Sequence, residues 1–437
     1  MRASRRSPIA KIQKKIIFAL KIQEFIDEIL TEFGFRPTRD QLNALETFAR
    51  FLADRGERRV MLLRGSAGTG KTSLAGAMVR TFARFGQKLQ LMAPTGRAAK
   101  VFATNSGRNA STIHRKIYRE RRYTGIGGAF DLNDNLNKDT LFIVDEASMI
   151  SGDTGEVTPF GSGNLLDDLL AYVWSADESK LILVGDTAQL PPVGTPLSDA
   201  LNAEVLTSRY GLEVYGTELR EVVRQKKGGI LHNATQLRQL LEDSADLDPE
   251  ELLPIHLETE GWRGIFAVEP GEFINTIDEA YRRYGMEECL VICPSNKKAL
   301  ECNHAIRSAV LYYEEEAVVR GERLIVARNN YHYTKRRDHS DFIANGETIE
   351  VQRLGRHYHE YGLHFADATI YLPDRDEELE VRLLLSCLEE PTPQRTQEQR
   401  QQLFEQIAAD YADIPSLTDR RRAIRRDPFW GALEVKY

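Results

Sequence analysis

Cysteine is scarce in this chain: four residues in 437, with Cys289, Cys293 and Cys302 close together and Cys387 apart. That usage excludes a disulfide scaffold and points to a reducing cytoplasm. Long apolar runs are missing; none approaches the roughly 18 residues of a membrane span. Repeats of solenoid period are missing too. Net positive charge is absent, since 58 Lys and Arg face 65 Asp and Glu for a formal charge of -7. This excludes a histone-like binder held by overall charge, but not a local basic footprint. Hydrophobic residues at 42% and charged residues at 28% are ordinary globular values. They rule out a disordered or collagen-like chain.

The charge bias that exists is local. Met1 to Gln23 carries Arg2, Arg5, Arg6, Lys11, Lys14, Lys15 and Lys21 without an acid. The apolar stretch from Ile16 to Leu20 ends at Lys21, too soon for a secretory signal; a basic helix start, an upstream extension and an organelle transit peptide stay open. Residues 11–33 read as one helix and 39–54 as a second, capped by Thr38. Apolar runs then alternate with helical patterns: Val60 to Leu63, a helix over 71–85, Leu89 to Ala93, a helix over 96–104, Leu141 to Val144 and Leu181 to Val184. Such alternation predicts an α/β fold whose parallel sheet is covered on both faces.

The expected layout is a basic helical extension over 1–35 and an α/β domain over 36–205 with a polar insertion near 115–138. A second, partial α/β segment follows over 206–330, with helices at 272–284 and 296–309. Its strands are expected at Cys289 to Cys293 and Arg323 to Ala327. A β-rich module spans 331–437. It holds the Asn345-Gly346 hairpin signal, the alternation Leu379 to Leu383, a helical excursion beyond Glu389 and a terminal strand with Leu433, Val435 and Tyr437.

Three motifs carry chemistry. Gly65-Ser66-Ala67-Gly68-Thr69-Gly70-Lys71-Thr72 follows an apolar strand and opens a helix. Its glycines let backbone N–H groups approach phosphates, and the helix N-terminus favours their charge. Lys71 is expected on the β- and γ-phosphates and Thr72 on Mg2+. The run from Leu141 to Val144 ends in Asp145, the expected Mg2+ partner, and Glu146, expected to orient the attacking water. Gly185-Asp186-Thr187-Ala188-Gln189-Leu190-Pro191-Pro192-Val193-Gly194 follows a third strand, in the crevice where such sheets hold ligands. Gln189 either bonds the γ-phosphate or the water, or belongs to a proline-stiffened turn. Cys289 and Cys293 read as core thiols, and His357 and His359 share one face of a strand.

In this order the motifs resemble those of the superfamily 1 DNA helicases, nearest the RecD-like and Dda-type 5′→3′ motors, over nearly all of residues 36–437. The resemblance implies a P-loop NTPase with two RecA-like parallel-sheet domains, the second incomplete, and a small SH3-like β module. It implies ATP and Mg2+ as cofactors, single-stranded DNA or a duplex–single-strand junction as partner, and a bacterial or phage-like cytoplasmic setting. Gln41, in Arg36-Pro37-Thr38-Arg39-Asp40-Gln41, matches the adenine-reading glutamine. Arg224, in Leu219-Arg220-Glu221-Val222-Val223-Arg224-Gln225, matches the arginine that reaches the γ-phosphate opposite Lys71.

Ala93-Pro94-Thr95-Gly96-Arg97-Ala98-Ala99 and Ser111-Thr112-Ile113-His114 match the blocks that line the single-strand track. Pro94, Thr95, Arg97, Thr112 and His114 are therefore expected DNA contacts, with a core or helix-start role open for His114. The insertion, with Arg115, Lys116, Arg119, Arg121, Arg122 and Tyr123, is either the family's strand-separating pin or a solvated basic face. Pro294-Ser295-Asn296, with Asn303 and Arg307, resembles the next block. Two later blocks, a T-x-H-x-x-Q-G segment and a final arginine, have no match. The expectation is an ATP-dependent DNA helicase read as a C-terminally truncated piece. The alternative is an ATP- and DNA-binding switch module without unwinding.

Overall fold

The computed structural model describes residues 22–120, 130–150, 152, 161–192, 197–223, 228–244, 254–313, 317–327, 330, 332–333, 343, 345–373, 376–390, 397–425, 427–429 and 433. The chain divides into two compact units, Met1–Ile265 and Phe266–Tyr437.

In the first unit, helix α1 (22–33) leads into α2 (Arg39–Ala53), β1 (Arg59–Gly65), α3 (Lys71–Arg84), β2 (Lys88–Ala93) and α4 (Gly96–Ser106). Then come β3 (Ala110–Thr112), α5 (Ile113–Ile117) and a short hairpin of β4 (Tyr118–Glu120) and β5 (Phe130–Leu132). The unit continues through β6 (Thr140–Val144), α6 (Leu165–Trp174), β7 (Lys180–Gly185), α7 (Ala203–Ser208), β8 (Glu213–Leu219) and α8 (Gly229–Asp243). Six strands form one parallel sheet in the order β3-β2-β6-β7-β1-β8.

Side-chain alternation sorts the two faces of this sheet. Met61, Leu63, Ile143, Ile182 and Val184 face a core with Ile26, Ile29, Leu45, Phe48, Met78 and Phe102 from α1 to α4. Val60, Leu62, Phe142, Leu181 and Leu183 face a second core with Ile113, Leu166, Leu169, Tyr172 and Leu206 from α5 to α7. Each large apolar side chain buried this way is worth roughly 1.5–3 kcal/mol. The predicted parallel sheet covered on both faces is therefore what the unit contains, because its strands are apolar on both sides.

Two features go beyond the expected boundaries. β8 lies past residue 205, yet it pairs with β1 from Arg59↔Glu213 to Gly65↔Leu219, so it is the sixth strand of the first sheet. Helix α1 is part of the first core rather than an appendage: Ile26, Ile29 and Phe33 are buried in it, and Glu28 and Glu32 pair with Arg84 and Arg80 of α3. Residues 1–21, including the basic run, lie outside the described residues.

The second unit contains α9 (Phe273–Tyr284), α10 (Asn296–Ala309), β9 (Arg323–Ile325), β10 (Thr348–Glu360), β11 (Leu363–Leu372), β12 (Glu377–Leu384), α11 (Gln397–Ala409) and α12 (Leu417–Arg425). Its antiparallel sheet runs β12-β11-β10-β9. Antiparallel pairing extends beyond β9 and β10 to a bridge between Asn330 and Ile343, so Asn345-Gly346, expected as the hairpin turn, lies on the returning arm, where Gly346 N–H donates to Val326 O. β9 was expected in the second α/β segment; pairing with β10 draws it into the antiparallel sheet instead.

The other predicted strand, Cys289 to Cys293, has no strand partner among the described residues. Leu290 and Ile292 are 81% and 88% exposed there. The second parallel sheet is thus incomplete to the point that helices α9 and α10 flank an unpaired segment. Of the expected terminal strand, Leu433 is helical and packs with Phe365, Leu403, Ile407, Ile424 and Phe429. Val435 and Tyr437 lie outside the described residues.

Candidate active site

Every motif of the first unit sits at the carboxyl end of a parallel strand, the edge at which such sheets bind ligands. β1 ends in the glycine-rich loop, β2 precedes Pro94 and Thr95, β3 precedes His114, β6 precedes Asp145, β7 precedes Asp186 and Gln189, and β8 precedes Arg220.

The loop is built by its own bonds. Thr69 donates through Oγ1 to Ser66 O at 2.8 Å, and Ser66 N–H donates to Leu219 O of β8. Gly70 has φ 83 and caps α3 without a side-chain bond, which leaves the helix N-terminus open. Lys71 donates through Nζ to Gly65 O at 2.6 Å and Ser66 O at 2.8 Å. Burial lowers its pKa, against the opposing pull of Asp186, Glu146 and Asp145.

Asp145 is 4% exposed. Its carboxylate accepts from Glu146 N–H at 3.0 Å and from the Thr72 side chain. Burial, with Glu146 beside it, pushes its pKa up to about 6. Glu146 takes φ 54 and ψ 40. A left-handed conformation is uncommon outside glycine, and such backbone clusters at functional sites. The Thr72 hydroxyl and the Asp145 carboxylate form an all-oxygen pair, the donor chemistry that suits Mg2+.

Gln189 accepts at Oε1 from Ser148 Oγ at 3.2 Å, so the loops after β6 and β7 are joined by side chains. A side chain at Gly185 would come within 2.7 Å of Leu201 Cδ1 and 3.2 Å of Ser148 N, so the close approach of these loops requires glycine there. Gln41 has two structural partners. Its Oε1 accepts from Thr38 N–H at 2.9 Å, closing a capping box, and its Nε2 donates to Thr69 O at 2.9 Å. Val223 N–H donates to Gly68 O, which ties the chain after β8 to the loop. Arg224 lies outside the described residues, as do Val193 and Gly194.

The expected DNA contacts fall on one run of strand ends. Thr95 caps α4 by accepting from Ala98 N–H, and Thr112 caps α5 by accepting from Arg115 N–H. Pro94 is half-buried and Arg97 exposed. His114 is half-buried beside the Tyr118 ring, and burial lowers its pKa. Residues 121–129 of the insertion, with Arg121, Arg122 and Tyr123, lie outside the described residues.

Sequence reasoning missed Arg238 on α8, whose Nη2 donates to Asp186 Oδ1 at 2.9 Å and Oδ2 at 3.1 Å. It also left Ser148 without a role. No local pattern marks Arg238; only the packing of α8 brings it to a motif far earlier in the chain. In the second unit, His364 joins the expected pair: its Nε2 lies 3.2 Å from His357 Nδ1, and its ring stacks on His359. Among the described residues no group of three or more His, Cys, Asp or Glu is arranged to hold a metal ion, and no helix is long and apolar enough to cross a membrane.

Residues 38–248 match a family model described as an AAA domain. The ATP-dependent RecD2 DNA helicase of Deinococcus radiodurans is 33% identical over 176 residues, covering 40% of this chain and 22% of that protein. An uncharacterized protein of Methanocaldococcus jannaschii is 34% identical over 158 residues, 33% of this chain and 12% of its own length. The chain thus spans well under half of these relatives. The Pif1 helicase of Candida albicans overlaps 80% of this chain and 79% of its own, at 14% identity and a TM-score of 0.35, a loose likeness. Together the domain match over residues 38–248 and the likeness to the RecD2 helicase support a P-loop domain of the RecD-like superfamily 1 helicase type.

Proposed function

We propose that this chain is an ATP-hydrolysing translocase that couples turnover to movement on single-stranded DNA, 5′→3′ by its resemblance to the RecD-like motors. One observation carries the reading. At the open N-terminus of α3, the Lys71 ammonium lies in the field of Asp145, Glu146 and Asp186, and Thr72 bonds Asp145.

The chemistry follows from the residues. Lys71 rests on two carbonyls, neutral partners that phosphate oxygens displace readily. The loop N–H groups and the α3 terminus hold the phosphate charge. Thr72 and Asp145 would hold Mg2+, which when bound neutralises charge on the phosphate oxygens. Glu146 orients the attacking water. Gln189, held by Ser148, senses the γ-phosphate or that water. Gln41 keeps one amide hydrogen and one lone pair beyond its protein bonds, which suffices to read an adenine edge. Arg224 is the proposed second cation on the γ-phosphate. Pro94, Thr95, Arg97, Thr112 and His114 line the strand track, where backbone contact rather than base reading is expected.

A second reading is an ATP- and DNA-binding switch that does not unwind. The exposed Leu290 and Ile292 favour it, because the second unit lacks a parallel sheet among the described residues. Single-turnover unwinding of a tailed duplex separates the two: strand release supports the translocase, and ATP-dependent binding without release supports the switch.

A further inference from the structure

We propose that Arg238 is a positioning residue of the nucleotide site, neutralising buried Asp186 so that Lys71 goes to phosphate instead of being captured by that carboxylate. The inference rests on the ATP-site reading above.

Asp186 is 2% exposed, and Arg238 spans both its oxygens through one nitrogen. Its Oδ1 also accepts from Ala188 N–H at 3.0 Å, which fixes the carboxylate at the turn that leads to Gln189. A carboxylate so buried demands a cation. Two are near. Arg238 bonds it directly, and Lys71 feels Asp186 more strongly than it feels Glu146 or Asp145. Arg238 and Asp186 act on Lys71 in opposite senses. The three groups thus form one electrostatic unit, in which the ammonium remains on the Gly65 and Ser66 carbonyls while the guanidinium satisfies the acid. Remove the guanidinium, and Lys71 is the cation left near the buried Asp186 carboxylate, with nothing to offset its pull. Arginine suits this post because its charge is permanent and its planar fork is pre-organised.

The test is binding of mant-ATP with Mg2+ to the full chain, unsubstituted and as Arg238→Ala, Arg238→Lys and the double variant Asp186→Asn with Arg238→Ala. Arg238→Ala is expected to weaken binding about tenfold, a coupling typical of groups in one network. Arg238→Lys, which keeps the charge, is expected within about threefold of the unsubstituted chain. The double variant is expected to recover most of the loss, because the competing carboxylate charge is gone. A strut that merely anchors α8 would show no recovery in the double variant, and that result overturns the proposal even if Arg238→Ala itself fails to fold. Unchanged binding by Arg238→Ala overturns it too, leaving the ATP-site reading intact. No binding by the unsubstituted chain overturns both.

Discussion

Burial sets the behaviour of Asp145. Its folded pKa of about 6 lies above the ordinary 3.8, so the folded state holds a proton that the unfolded chain has released between those values. Stability from this group is therefore present at low pH, falls as pH rises from about 4 to about 6, and stays lost above that. In metal-free protein at pH 7.5, Asp145→Asn should raise unfolding stability by on the order of 1–3 kcal/mol. The same substitution should abolish ATP turnover. Equal denaturation midpoints for the two proteins at pH 7.5 would contradict the burial argument. Lys71→Ala should likewise remove turnover, read by phosphate release, and an unchanged rate would exclude the loop from the chemistry. These residues were legible because strand-loop-helix spacing alone places them. Arg238 was not, since a helical arginine carries no sign of which distant acid it will meet.

Among the elements, α2 shows how a cap and a site share one residue. Gln41 closes the capping box with Thr38 and also holds Thr69 O of the loop. Gln41→Ala should cost about 1 kcal/mol of stability, and mant-ATP binding should weaken as well. Thr38→Ala should cost similar stability while Gln41 keeps its bond to Thr69, so its binding should change little. Equal binding losses in both would show that the cap alone matters.

The helix at 39–53 was readable from its cap and apolar period, the one at 71–84 from the glycine-rich turn before it, and the one at 296–309 from its pattern. Strands were readable as apolar runs but not as pairings. The run at 289–293 has the composition of a buried strand without a ladder, and β9 found its antiparallel partner in β10. Partners are set by non-local packing, which a window of sequence does not contain.

For the whole molecule, all the described residues proposed for the nucleotide site precede Ile265 and so belong to the first unit. That unit has its own sheet and two buried cores. Residues 1–265 expressed alone should therefore melt cooperatively and bind mant-ATP within about threefold of the full chain, the margin of additivity for independent parts. A larger loss would assign part of the site to the second unit. The β-sheet of that unit was anticipated in part from the alternation over Leu379 to Leu383, and a helix beyond Glu389 was expected, but the packing of its helices around Phe365 was not.

If nucleotide turnover at this site is coupled to single-stranded DNA, steady-state ATP hydrolysis by the purified chain should be slow alone and rise on the order of tenfold or more with an unstructured oligonucleotide, about 1.4 kcal/mol off the barrier. Tight ATP binding with the same rate in both conditions would rule the coupling out.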